Sequence, residues 1–166
     1  MISQLTTKEK RDALPTLSPL GPLAGGNAVL HHLGFVVSSI SAVGEEFAAS
    51  MSAHWDSKIV YDPIQRVWVS FFGPSDARNP VYELVEPAGH DSPVSTFLRK
   101  GGGLHHVCYE IDDLERTLTE ARLAGFVVLT DPAPAVAFSG RKIAWICSRA
   151  KNRLFVELLE RSHARL

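Results

Sequence analysis

LHHLGFVVSSISAVGEEFAASM at residues 30–51 and LHHVCYEIDDLERTLTEARLAG at residues 104–125 decide the fold. Each opens with a double histidine in an apolar strand pattern and runs into a helical one. In the first, Ile40, Val43, Phe47 and Met51 fall at helical spacing behind Ser38 or Ser39 as cap. In the second, Leu114, Leu118 and Ala121 form the apolar stripe behind Asp112 or Asp113, and Gly125 stops the helix. His32 and His106 are 74 residues apart, as are the acidic strands YELVE and VELLE and the helix starts Ile40 and Leu114. Three features at one offset indicate a duplicated unit.

Working outward, SKIVYD, QRVWVSFFG and PVYELVEP read as strands in the first half, and FVVLT, RKIAWICS and LFVELLE in the second. Each half reads β-α-β-β-β. The expected fold class is α+β: two tandem βαβββ modules forming a curled mixed sheet around one metal and substrate cavity. Residues 1–28, polar and then rich in Pro, Leu and Gly, read as an N-terminal arm. The first module spans 29–87, a linker with a short helix and GGG spans 88–103, and the second module spans 104–161. Neither half is large enough for a good core alone, so the two pack as one domain.

Composition narrows the function. Of 166 residues, 45% are hydrophobic and 21% charged, so the chain is globular rather than disordered. Seventeen basic and eighteen acidic side chains give a net charge of −1, without the basic excess of a nucleic-acid binder. Apolar runs fall short of a membrane span. The opening MISQLTTKEKRD has no signal-peptide core, and Cys108 and Cys147 are the only cysteines. The expectation is a cytoplasmic protein with free thiols.

Strand parity sorts the histidines. Alternate side chains face opposite sides of a sheet. His31 stands with Leu33 and Phe35 on the larger apolar face, which packs on the helices. His32 and His106 share the lighter face. Glu83 and Glu86 are three apart and face opposite ways, as do Glu157 and Glu160. Parity does not choose between them, although Glu83 and Glu157 lie mid-strand among apolar residues. Two imidazoles and two carboxylates suit one divalent ion of Zn, Mn, Fe, Co or Ni, with room left for two substrate oxygens. Such an ion stabilises an enolate as charge develops on oxygen. Cys108, on the same face as His106, reads as a small buried hydrophobe. Trp68, Phe71, Phe72 and Trp145 read as core or cavity wall.

The patterns H-L-G-F-V-V, Y-E-L-V-E-P, G-L-H-H-V-C-Y-E-I-D-D-L and L-F-V-E-L-L-E resemble the vicinal oxygen chelate (glyoxalase/bleomycin resistance/dioxygenase) superfamily, and within it methylmalonyl-CoA epimerase-like proteins. The resemblance runs from about His31 to Glu160. It implies His32, Glu83, His106 and Glu157 as metal ligands, Glu157 as the catalytic proton shuttle, and an acyl-thioester substrate on CoA or a carrier protein. Arg99, Lys100, Arg141, Lys142, Arg149, Lys151 and Arg153 are candidates to meet its phosphates. A homodimer is expected, with neither nucleic acid nor membrane as partner. One departure stands out. The epimerases carry a second acid on the third strand of the first module, and Val69 occupies that position here. A water, Tyr61 and Glu110 are the remaining protic candidates. The alternatives are a glyoxalase I-like lyase, a non-catalytic small-molecule-binding or resistance protein, and an extradiol-type oxygenase, which needs only two His and one carboxylate.

Overall fold

A computed structural model describes residues 27–74, 80–149 and 153–162. The first half runs through β1 (Val29–Val36), α1 (Ile40–Ser50), β2 (Ala53–Trp55), β3 (Val60–Asp62), β4 (Val67–Pro74) and β5 (Val81–Pro87). A short helix α2 (Ser95–Arg99) follows. The second half runs through β6 (Gly103–Ile111), α3 (Leu114–Leu123), β7 (Val127–Val128), β8 (Ala133–Pro134), a 3-10 turn (Val136–Phe138), β9 (Lys142–Cys147) and β10 (Phe155–Glu160). Residues 1–26 of the expected N-terminal arm lie outside the described residues. Among those described, no helix is long and apolar enough to cross a membrane.

All strands join one curled mixed sheet in the order β2-β4-β5-β1-β6-β10-β9-β7, with β3 also on β4 and β8 also on β9. β1 and β6 pair antiparallel at the centre, and each takes its own module's last strand, β5 or β10, in parallel on the other side. The strands expected at SKIVYD and FVVLT are the shorter β3 and β7, and each has an unexpected short strand beside it, β2 before β3 and β8 after β7. β2 and β3 are separated by a turn in which Asp56 accepts from the Lys58 amide and Ser57 has φ 59°. β7 and β8 are separated by a segment containing Pro132, which has no amide hydrogen to give a sheet.

The helices cover the convex face because their stripes match the sheet's apolar side. Ser39 caps α1, accepting from the Ala42 amide, and Asp113 caps α3, accepting from the Arg116 amide. Beneath α1, Ile40, Phe72, Tyr82 and Leu84 are buried, with Leu33 and Phe35 packed against them. Beneath α3, Leu114, Leu118 and Ala121 meet Ile146, Val156 and Leu158. Each fully buried leucine contributes about 2 kcal/mol. Glu86 also works on this face. Its carboxylate accepts from the Ile40 amide at 2.7 Å, at the start of α1, where negative charge is favoured.

The concave face is closed at one end by the segment around the 3-10 turn. Phe138, Ala135 and Ile143 bury Cys108 and Leu159 there. Buried Asp62 ties this segment to the first module. Its Oδ2 accepts from the Val136 amide at 3.1 Å, and its Oδ1 accepts from the Ile64 and Gln65 amides at 2.9 Å each.

Candidate metal centre

The four central strands each bring one polar side chain to the floor of the concave face. Glu83 on β5, His32 on β1, His106 on β6 and Glu157 on β10 are all buried. Register explains their convergence. Gly34 lies opposite both Glu83 and His106, and Cys108 lies opposite both His32 and Glu157. Each half thus repeats the other's placement about an axis between β1 and β6.

The donor atoms meet. His32 Nε2 lies 3.1 Å from His106 Nε2, and 3.3 Å from both Glu83 Oε2 and Glu157 Oε2. His106 Nε2 lies 3.2 Å from Glu83 Oε2 and 3.8 Å from Glu157 Oε2. Ligands about 2.1 Å from one ion stand about 3.0–3.5 Å from each other in octahedral or tetrahedral geometry. His32, His106 and Glu157 form a group that could hold one cation, and Glu83 lies within 3.3 Å of both imidazoles beside it. Two further observations fit one. Glu157 Oε2 is buried with no hydrogen-bond partner among the described residues. Gly34, facing the floor, leaves space that the His106 ring fills: a Cβ there would sit 1.9 Å from His106 Cε1.

Electrostatics point the same way. Burial pushes the His32 imidazole down, but Glu83 together with Glu157 outweighs it and raises the group from 6.5 to about 10. Burial pushes Glu83 up, but His32 and His106 outweigh it and lower the carboxyl from 4.5 to about 2. Both shifts express one property, a buried carboxylate pair that holds positive charge. Burial, then Glu157, pushes the Cys108 thiol up and keeps it protonated. Cys108 also groups with His31 and His32. Burial, then His106, lowers His105 to about 4.

Above the floor opens a cavity of about 1160 Å³. Val67, Val69 and Val85 line it from the first module, and Trp145, Phe155 and Leu129 from the second. Trp145 packs edge-on against His106 at 4.8 Å and donates through Nε1 to Gln65 Oε1 at 3.2 Å. Arg66, Lys100 and Arg153 are the basic residues of the lining. Arg66 is also paired with Asp91 at 2.7 Å. Val69 stands on the wall at the position where the resemblance implies a second acid. Tyr61 and Glu110 are outside this lining: Tyr61 packs against Trp68 at a tilt, and Glu110 is held by Arg141. Of the other basic candidates, Arg149 donates to the Gly125 carbonyl away from the floor.

Sequence reasoning missed Gly34, Gln65 and Asp62. Only Gly34 carried a readable signal, a residue without Cβ on the histidine face of β1.

Comparison with known proteins agrees with the architecture. The family model described as Glyoxalase/Bleomycin resistance protein/Dioxygenase superfamily matches residues 31–145. The mitochondrial methylmalonyl-CoA epimerase of Dictyostelium discoideum is 35% identical over 86 residues, a match that spans 51% of each chain. The ethylmalonyl-CoA/methylmalonyl-CoA epimerase of Cereibacter sphaeroides is 28% identical over 131 residues, 78% of this chain and 95% of that protein. Methylmalonyl-CoA epimerase from Mycobacterium tuberculosis shares the fold with a TM-score of 0.68 at 20% identity, over 80% of this chain and 87% of that one. With a family match over most of its length and the curled sheet that goes with it, the chain belongs to the glyoxalase/bleomycin resistance protein/dioxygenase superfamily.

Proposed function

We propose that the protein is a metal-dependent enzyme that moves the α-proton of an acyl-thioester, in the manner of the methylmalonyl-CoA epimerases. His32, Glu83, His106 and Glu157 are its metal ligands. The observation that carries this reading is the convergence of His32, His106 and Glu157, with Glu83 against both imidazoles and Glu157 Oε2 buried without a hydrogen bond. A divalent ion held there supplies Lewis-acid polarisation of the thioester carbonyl. Glu157 takes the proton from the carbon beside that carbonyl, the C–H electron pair moves toward oxygen, and the same carboxyl returns the proton. Glu83 lies 3.2–3.3 Å from both imidazoles, whereas Glu157 stands 3.8 Å from His106, and this looser hold suits Glu157 to shuttle. The valine wall keeps water from the other side of the carbanion. The basic lining residues meet the phosphates of CoA or a carrier-protein arm. On this reading the modules at 29–87 and 104–161, joined by 88–103, act as one domain because each supplies two ligands.

Val69 puts hydrocarbon where a second acid is needed for inversion, so proton exchange here proceeds on one face. The test is incubation of single-enantiomer 2-methylacyl thioesters with the divalent-ion-loaded protein in deuterium oxide. Deuterium uptake with retained configuration is expected. No uptake from any thioester refutes the proton-transfer reading, and uptake with full racemisation refutes the one-face assignment.

A further inference from the structure

His31 and His105 precede the two candidate ligands by one residue. In an unbroken strand, neighbours point to opposite faces. The pairing of β1 with β6 is broken at these two residues. Leu30 pairs with Tyr109 and His32 with Cys108, so His31 is an extra residue on β1. Gly34 pairs with His106 and Phe35 with Leu104, so His105 is an extra residue on β6. Each is therefore the additional residue of a β-bulge, a device that re-aims side chains beside functional sites. The result is the same twice over. His31 Nδ1 lies 2.9 Å from His32 Nδ1, and His105 Nδ1 lies 3.1 Å from His106 Nδ1. Aromatic rings hold both flanking imidazoles. His31 meets the Phe138 ring edge-on at 5.4 Å, and His105 stacks on Phe155 at 5.1 Å with Phe97 edge-on at 4.8 Å.

We propose that His31 and His105 are positioning residues, each placed by its bulge to accept the Nδ1 proton of the adjacent ligand histidine and so fix which nitrogen faces the ion. The inference rests on the ligand set proposed above. A histidine that gives Nε2 to a metal carries its proton on Nδ1, and an acceptor there sets the tautomer and the ring plane. With His32 and His106 donating, His31 and His105 must accept through bare Nδ1 and carry their own protons on Nε2. The choice of acceptor has a charge consequence. Two carboxylates, two neutral imidazoles and a divalent ion sum to zero, and a neutral imidazole acceptor leaves that balance intact where a carboxylate would add charge.

The experiment uses the full chain, labelled with nitrogen-15 at histidine and loaded with Zn²⁺. Heteronuclear spectra assign the protonated nitrogen of each ring, and competition with a chelator measures Zn²⁺ affinity. Wild type is expected to show Nδ1–H at His32 and His106, and Nε2–H at His31 and His105. His31→Leu is expected to shift or broaden the Nδ1–H signal of His32 alone and weaken Zn²⁺ binding about 10–100-fold. His105→Leu does the same to His106. His31→Asn and His105→Asn, whose side-chain oxygens stand near the lost Nδ1, restore most of the affinity. Leu variants with unchanged signals and affinity overturn the proposal, and so does a wild-type spectrum with the proton on Nδ1 of His31 or His105, which decides the matter even if a variant does not fold. His32→Ala separates the two levels. If it binds Zn²⁺ as wild type does, the ligand set itself is wrong. If it loses Zn²⁺ while the Leu variants do not, only the positioning role falls.

Discussion

Replacing Gly34 with valine tests whether the floor needs the His106 ring where it stands. A Cβ at position 34 would lie 1.9 Å from His106 Cε1, 2.3 Å from Nε2 and 2.5 Å from Nδ1. Carbon atoms in comfortable contact are about 3.5–4.0 Å apart, so the ring must withdraw by about 1.5–2 Å before the two valine methyls are counted. Metal–ligand distances tolerate only about 0.2 Å. His106 therefore leaves the cluster, and Trp145 and His105 against it are disturbed too. Loss of one of four ligands should weaken divalent-ion binding at least about 100-fold, more than loss of an outer partner does. Gly73→Val is the control, since its Cβ meets nothing within 4 Å. Affinity is read by competition with a chelator, and folding by thermal denaturation followed by circular dichroism. A folded Gly34→Val protein that binds Zn²⁺ or Co²⁺ as tightly as the control would refute the reasoning.

Glu157→Gln removes the proposed proton carrier. Deuterium exchange into a thioester should fall about 10²–10⁴-fold, read by mass spectrometry, while the fold persists; exchange at the wild-type rate would assign the proton elsewhere. The paired shifts at the floor set a pH signature in chelator-stripped protein. His32 is raised to about 10, so its contribution to stability is complete below about 6.5 and is lost as pH climbs toward 10. Glu83 is lowered to about 2, so its contribution is present above about 4.5 and is lost as pH falls toward 2. Stability from this pair is therefore greatest between about pH 4.5 and 6.5, and a steady rise in denaturation midpoint from pH 7 to 10 would contradict it. A divalent ion must displace the His32 proton, so calorimetry at pH 7 in buffers of different ionisation enthalpy should show about one proton released per ion bound. Asp62→Ala strips three backbone amides of their acceptor and should cost about 3 kcal/mol in urea denaturation; a loss under about 1 kcal/mol would mean that water replaces the carboxylate.

Much of this molecule is legible in its residues because duplication writes each signal twice. The offset of 74 residues marks the halves, and the stripe Leu114, Leu118 and Ala121 marks a helix that the structure buries on that face. The structure brings His32, Glu83, His106 and Glu157 together, and parity alone had reached the two histidines. It could not choose among the glutamates, since the use of Glu86 depends on where α1 begins in space: its carboxylate is spent on the Ile40 amide. Parity fails outright at His31. An alternating period assumes an unbroken ladder, and the bulge turns this residue from the side of Leu33 and Phe35 toward His32. β2 was equally hidden, because three residues, Ala53, His54 and Trp55, are too short a run to show a strand period.

The floor has a consequence for any lopsided guest. Exchanging the two halves maps His32 onto His106 and Glu83 onto Glu157, so a ligand offering two oxygens there meets nearly the same seat whichever way round it lies. The surrounding walls break that tie, branched aliphatic on one flank with Val67, Val69 and Val85, flat and aromatic on the other with Trp145 and Phe155. Which way round such a guest lies is thus set by the flanks, and exchanging their character should turn it end for end without touching the seat.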